Sequence, residues 1–297
     1  MPRIRSALRN RVEEVGFDLF RRLVPSSTAE RAEAAGRRLG PVLEGVLRSR
    51  RTLVVRNLGL AFPERTAAQI EDLTHEVFAH FGGIVAELLF AIDEPAQALL
   101  ARVEVEGIEH VRRAAATGRG FFFLTAHLGN WEYAALATAG AGYPTTVITR
   151  PLDNPALEGR LRALREKTGN AVVHKGDAAK ELLRIMRKGG HVGILIDQHA
   201  HPPQNVVVPF FGRPASTTTI VAKLAERTGA LVVPSACLRV GPARYRMTYH
   251  PMVDVRELPE AERGVESFTA RLNLILEGMI REHPEQWLWL HNRWRLD

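Results

Sequence analysis

From about residue 102 onward, short apolar runs alternate with stretches of helical period, and this limits the chain to a small set of folds. Strand candidates are Val103–Val105, Phe121–Ala126, Thr145–Thr149, Ala171–His174, Val192–Ile196, Leu231–Pro234 and Tyr245–His250. Helix candidates fall at 131–140, 155–168, 178–188, 217–228 and 264–283. Strands this short and apolar must pair in a sheet, and the helices must cover its faces. The expected class is α/β, with a mostly parallel or mixed central sheet flanked by helices. No linker rich in Pro, Gly or Ser interrupts it.

A helical, basic region precedes this pattern. The expected division is 1–95 for the N-terminal membrane-proximal extension and 96–297 for the α/β domain, the two forming one continuous unit. Ser27-Thr28-Ala29-Glu30 and Thr66-Ala67-Ala68-Gln69 have the spacing of capping boxes. The second opens a segment with Ile70, Leu73, Val77, Phe81, Ile84, Leu88 and Leu89 on one face, which predicts packing positions. Residues 1–56 carry thirteen arginines against six acids, so the whole formal excess of +7 lies there. Such a segment attracts phosphate-rich surfaces. Val12, Val15, Leu19, Phe20 and Leu23 recur at helical spacing beside Arg11, Arg21 and Arg22, with Pro25 as the stop. That pattern fits an interfacial helix on an anionic membrane. Nucleic acid is not expected, because zinc-finger spacing and an RNA-binding aromatic signature are both missing. No apolar run approaches the roughly 20 residues needed to span a bilayer. The lone Cys237 excludes an internal disulfide and reads as a buried small hydrophobe.

The chemistry concentrates at FFFLTAHLGNWE, residues 121–132. A strand ends at His127, a turn passes Gly129 and Asn130, and Glu132 lies at the start of a helix. Open α/β sheets bind ligands beyond the carboxyl ends of their strands, and a histidine there is placed for proton transfer near neutrality. A His/carboxylate pair can take a proton from an alcohol. No G-x-S-x-G elbow accompanies it, which favours direct attack by a substrate hydroxyl over a covalent acyl-enzyme. Asp197, ending the strand VGILI, lies at the same kind of edge. Two acids therefore compete as the partner of His127, and spacing does not decide between them.

HLGNWE, TRPLDNP, ILIDQHAHPP, VPFFGRPASTTT, LVVP and PEQWLWLHNRWR follow one another in this order. Together they resemble the lipid A late acyltransferases, the lauroyl and myristoyl transferases of lipopolysaccharide assembly within the glycerolipid acyltransferase superfamily. The likeness runs from about residue 50 to the C-terminus. It implies a catalytic His/acid motif, an acyl-carrier-protein thioester as donor and a lipid A precursor hydroxyl as acceptor. It also implies the cytoplasmic face of the inner membrane, and a reaction without cofactor because the thioester is already activated. The resemblance places an acid near the histidine at Asp197 and an arginine near the site at Arg165.

Other residues follow as substrate contacts. Arg150, after the strand TTVIT, and Arg165 could hold a phosphate or stabilise an oxyanion. Asn130 reads first as a helix cap and second as a substrate contact, and Gln198 stands beside Asp197. In the loop Val208–Pro214, Phe210 and Phe211 could wall an acyl chain while Gly212 and Arg213 offer phosphate donors. Ser216-Thr217-Thr218-Thr219 reads as a helix N-terminus able to receive phosphate. His199 and His201 lack a third ligand in frame, so no metal site is expected. The terminal Trp287, Trp289 and Trp294 are expected to pack on the sheet. The competing functions are acylation of another glycolipid or a lysophospholipid and, in a different class, a noncatalytic lipid-binding protein.

Overall fold

All five side chains of Phe121–Thr125 are buried, which requires packed layers on both faces of the strand. Phe122 and Leu124 join one apolar cluster, Phe121 and Phe123 the other, as the two-residue period of a strand dictates. The computed structural model describes residues 28–174 and 178–296, together with 10, 11, 14, 15 and 18.

The N-terminal part includes α1 (Ala29–Arg38), α2 (Gly40–Val46), α3 (Arg48–Ala61) and α4 (Ala67–Ala91). After α5 (Ala96–Leu100) come β1 (Val103–Glu106), α6 (Ile108–Ala116), β2 (Phe121–Thr125), α7 (Trp131–Gly140), β3 (Thr146–Thr149), α8 (Pro155–Glu166) and β4 (Ala171–His174). The chain continues through α9 (Ala178–Arg187), β5 (His191–Leu195), β6 (Asn205–Phe210), β7 (Arg213–Thr218), α10 (Ile220–Thr228), β8 (Leu231–Gly241), β9 (Arg244–Tyr249) and α11 (Val265–Glu282). Seven strands form one sheet in the order β1-β9-β8-β2-β5-β3-β4. Neighbours are parallel except β8 and β9. The expected mixed, mostly parallel sheet is the observed one.

Two features differ from the sequence reading. β6 and β7 form a separate antiparallel hairpin, where a loop and a helix start were expected. Ser216 to Thr218 therefore end a strand, and the helix begins at Ile220. β8 runs on to Gly241, well past Pro234, and pairs with β9.

The N-terminal helices share the core of the sheet. Val54, Leu58 and Phe78 belong to the same apolar cluster as Phe122 and Leu124. Arg239 on β8 pairs with both Glu33 and Glu87, from α1 and α4, and the Tyr245 hydroxyl also donates to Glu87. A buried arginine between two acids fixes where these helices dock, because moving either would strand a charge. At the start of α4, Thr66 Oγ1 accepts from Gln69 N at 3.3 Å while Gln69 Oε1 accepts from Thr66 N at 2.8 Å. This is the expected capping box. At α1 the cap is Thr28, and Ser27 lies outside the described residues.

Of the basic stripe, Val12, Leu19, Phe20, Leu23 and Pro25 lie outside the described residues. Asn10 O accepts from Asn154 Nδ2, and Asp18 pairs with Arg160, so the described positions meet the start of α8. Among the described residues no helix is long and apolar enough to cross a membrane.

Candidate active site

Strand register creates the site. Thr125 of β2 pairs with Leu195 of β5 in a parallel ladder. Two residues further along each strand bring His127 and Asp197 level at the carboxyl edge. His127 Nδ1 lies 2.9 Å from Asp197 Oδ1, and the backbone N–H of His127 donates to Asp197 Oδ2 at 2.9 Å. Trp287 Nε1 donates to the same Oδ2 at 2.7 Å. Asp197 is 1% exposed. Burial alone would raise its pKa, but the charge and hydrogen bonds of His127, with the Trp287 donor, outweigh burial and hold it at about 2. A carboxylate so fixed selects the His127 tautomer with the proton on Nδ1 and leaves the Nε2 lone pair for a substrate. Gln198 Nε2 sits 3.3 Å from His127 Nε2, at the position a hydroxyl donor would take.

The backbone after His127 is clamped on both sides. Leu288 N donates to His127 O at 2.9 Å, Gly129 N to Gln286 O at 3.0 Å, and Asn130 N to Cys237 O at 2.8 Å. Gly129 has φ +60°, and a Cβ there would stand 2.0 Å from Cys237 O, so only glycine fits. Asn130 Oδ1 accepts from Tyr133 N at 3.1 Å and caps α7, the first of its two expected roles. Trp131 sets its ring edge-on to His127, centroids 5.1 Å apart. Cys237 is buried, as expected, and burial pushes its thiol pKa up.

The Glu132 carboxylate forms a bidentate pair with Arg165, at 2.8 and 2.6 Å. Their side chains are only 7% and 13% exposed. The pair locks the first turn of α7 to the end of α8. Burial alone would lower the Arg165 pKa, but the Glu132 hydrogen bonds and charge hold it above its ordinary value. Glu132→Ala should therefore destabilise the fold by about 3 kcal/mol, read as a shift in urea midpoint without a change in slope.

The remaining candidates are spread around this centre. Arg150 is exposed and makes a 3.9 Å contact with Asp153. Phe211, at φ +52°, and Gly212, at φ +68°, form the two-residue turn of the β6–β7 hairpin. Phe210 and Phe211 are buried among Trp287, Trp289 and Trp294, forming a packed floor behind Asp197. Arg213 donates to Leu60 O at 3.0 Å. The segment expected to be a phosphate-receiving helix N-terminus is strand as far as Thr218, and two of its hydroxyls are engaged: Ser216 Oγ donates to Ala200 O, and Thr217 Oγ1 accepts from Arg293.

The terminal tryptophans pack as expected. What the sequence reading missed is that their segment also serves the site. An indole N–H carried into a core needs an acceptor, and that of Trp287 finds Asp197. Arg293, fully buried, donates to Ser216 O and Thr217 Oγ1, both at 2.6 Å. Burial lowers its pKa to about 10. His291 Nε2 accepts from His199 N at 2.9 Å, and burial, foremost, lowers the His291 pKa to about 4. The rings of His199 and His201 lie 4.7 Å apart. Among the described residues the atoms of Glu44, Glu71 and His75 converge as ligands would, but Arg51 already binds both carboxylates.

Fold and site together define an α/β protein whose aspartate-held histidine, at the carboxyl edge of the sheet, can accept a proton from a hydroxyl. The profile of the bacterial lipid A biosynthesis acyltransferases matches residues 15–296, and the chain belongs to that family. It is 29% identical over 264 residues to the Escherichia coli lipid A biosynthesis lauroyltransferase, covering 86% of this chain and 83% of that protein. It is 27% identical over 248 residues to a Haemophilus influenzae lipid A biosynthesis acyltransferase, covering 82% and 75%. A phosphatidylinositol mannoside acyltransferase of Mycobacterium tuberculosis is 26% identical over 196 residues, covering 65% and 60%. Membership makes this chain an acyltransferase with a lipid acceptor.

Proposed function

We propose that the protein moves a fatty acyl chain from an acyl-carrier-protein thioester to a hydroxyl of a lipid A precursor, with His127 as general base. The observation that carries this reading is the Nδ1 contact of His127 with buried Asp197, which leaves Nε2 as the base. Nε2 takes the hydroxyl proton while the oxygen attacks the thioester carbonyl. The tetrahedral adduct collapses, the C–S bond breaks, and the imidazolium returns its proton to the departing thiolate. Asp197 stabilises the imidazolium without taking its proton. Glu132 and Arg165 hold the helix that carries Trp131 beside the base. Gln198 contacts the acceptor hydroxyl, and exposed Arg150 is the candidate partner for an acceptor phosphate. No cofactor is needed, since the thioester supplies the activation.

The reaction is tested with purified protein, radiolabelled acyl donor and a lipid A precursor, comparing acyl-carrier-protein and coenzyme A thioesters. Transfer from the carrier-protein donor supports the reading, and transfer only to a different glycolipid would overturn the acceptor. Mass spectrometry of lipid A from cells with and without the gene gives the added chain directly. We further place the protein peripherally on the cytoplasmic face of the inner membrane through its basic N-terminus. It should sediment with anionic vesicles at low salt and release as ionic strength rises. Salt-independent binding would remove the electrostatic attachment.

A further inference from the structure

The backbone N–H of His199 donates to His291 Nε2 at 2.9 Å, so that nitrogen carries no proton. A neutral imidazole has one N–H, which here must be on Nδ1. Protonating Nε2 would set two donors against each other, and burial, foremost, lowers the His291 pKa to about 4. The ring is therefore neutral near pH 7, yet it cannot serve as a base. One nitrogen is taken and the other holds its proton. What the ring offers is a hydrogen bond. Nδ1 has no acceptor among the described residues, although the ring is half-buried.

The donor is fixed and belongs to the site. The His291 carbonyl accepts from Asn57 Nδ2 of α3 at 2.8 Å and from Arg293 N at 3.0 Å. Asn57 is buried and its amide also donates to Trp289 O at 2.9 Å. Three consecutive residues beyond β5 carry both imidazoles. Asp197 holds His127 Nδ1, Gln198 Nε2 lies 3.3 Å from His127 Nε2, and His199 N holds His291. After burial, the charges of Asp197 and His127 weigh most on the His291 pKa, in opposite directions.

We propose that His291 Nδ1–H donates to the oxyanion formed at the thioester carbonyl, a catalytic role that rests on the acyl-transfer reading above. The reaction needs such a donor. Of the arginines expected to supply one, Arg165 is bound by Glu132 and Arg150 is exposed to solvent. As His127 Nε2 takes the hydroxyl proton, the new C–O bond forms and the carbonyl π pair moves onto its oxygen. That oxygen accepts from His291 Nδ1. The pair returns as the C–S bond breaks, and the thiolate takes the proton from His127. A neutral imidazole donates without surrendering its proton, so the adduct stays free to collapse.

Two substitutions separate this role from a structural one. In His291→Asn the amide places an N–H where Nδ1–H stood but loses the acceptor for His199 N. In His291→Gln the amide oxygen replaces Nε2 towards His199 N, and no donor stands at the Nδ1 position. With a carrier-protein thioester and a lipid A precursor, His291→Gln should lower kcat about a hundredfold, the scale of one lost oxyanion donor. KM should change by less than about threefold, because the bond forms only in the transition state. His291→Asn should regain about tenfold of the loss. Wild-type kcat in His291→Gln, recovery by Gln rather than Asn, or a rise in KM alone would each overturn the proposal while leaving acyl transfer in place. A wild type that transfers from no thioester removes the acyl-transfer reading, and this role with it. Imidazole nitrogen NMR of the wild type tests the ring without turnover or a variant that must fold. His291 should show a protonated Nδ1 and a bare Nε2 from about pH 6 to 8. A proton on Nε2 in that range overturns the proposal whatever the kinetics.

Discussion

His127→Ala should lower acyl transfer by about three orders of magnitude, the scale of a lost general base. The side chain is about one-fifth exposed and makes its main polar contact with Asp197. Its removal leaves Asp197 the His127 backbone N–H and the Trp287 indole as donors. The folded state should therefore lose only about 2 kcal/mol, the worth of one hydrogen bond to a charged group. Single-turnover assays with carrier-protein thioester read the first quantity and urea unfolding the second. Transfer within tenfold of wild type would remove His127 from the chemistry. A collapse in stability would mean that the loss of activity came from unfolding.

Much of this centre was legible in the sequence because it is local. Phe121 to Ala126 can only be a central strand, and a histidine directly after it must stand at the sheet's carboxyl edge. The capping geometry of Asn130 and the burial of Cys237 follow from their neighbours in the same way. The partner of His127 was not legible, because Glu132 and Asp197 differ in nothing that spacing records. The choice depends on β2 pairing with β5 in the register that levels residues 127 and 197, a contact between segments 70 residues apart. Glu132 then turns to Arg165, whose guanidinium fits a carboxylate in bidentate fashion.

The β6–β7 hairpin escaped for a different reason. Pro209 and Pro214 argue against strands, yet they face each other across a two-stranded ribbon that pairs with no third strand among the described residues, so a missing N–H breaks no ladder. The site role of Trp287 was hidden too, since burial of an indole is visible in composition but the acceptor it selects is not.

Asp197→Asn should lower transfer by about two to four orders of magnitude relative to wild type, with volume almost unchanged. The carboxylate accepts through both oxygens: Oδ1 from His127 Nδ1, Oδ2 from His127 N and Trp287 Nε1. An amide has one acceptor. If its oxygen faces the two N–H donors, its NH2 group faces Nδ1 and forces the ring proton onto Nε2, so the base is lost. If it is flipped, NH2 confronts two donors and leaves them unsatisfied in the core. Either arrangement also removes an acid-sensitive part of the stability. The folded pKa of Asp197, about 2, lies below its ordinary 3.8, so its ionised form stabilises the fold above the higher value. That contribution, on the order of 2 kcal/mol, fades as pH falls from about 3.8 towards 2. Acid unfolding of wild type should therefore show a component in this window that Asp197→Asn lacks. Since Asp197 stays ionised down to about 2, its titration adds no limb to the wild-type pH–rate profile near neutrality. An Asn variant that kept its activity, with the same acid unfolding as wild type, would mean that Asp197 neither orients His127 nor carries its charge in the folded protein.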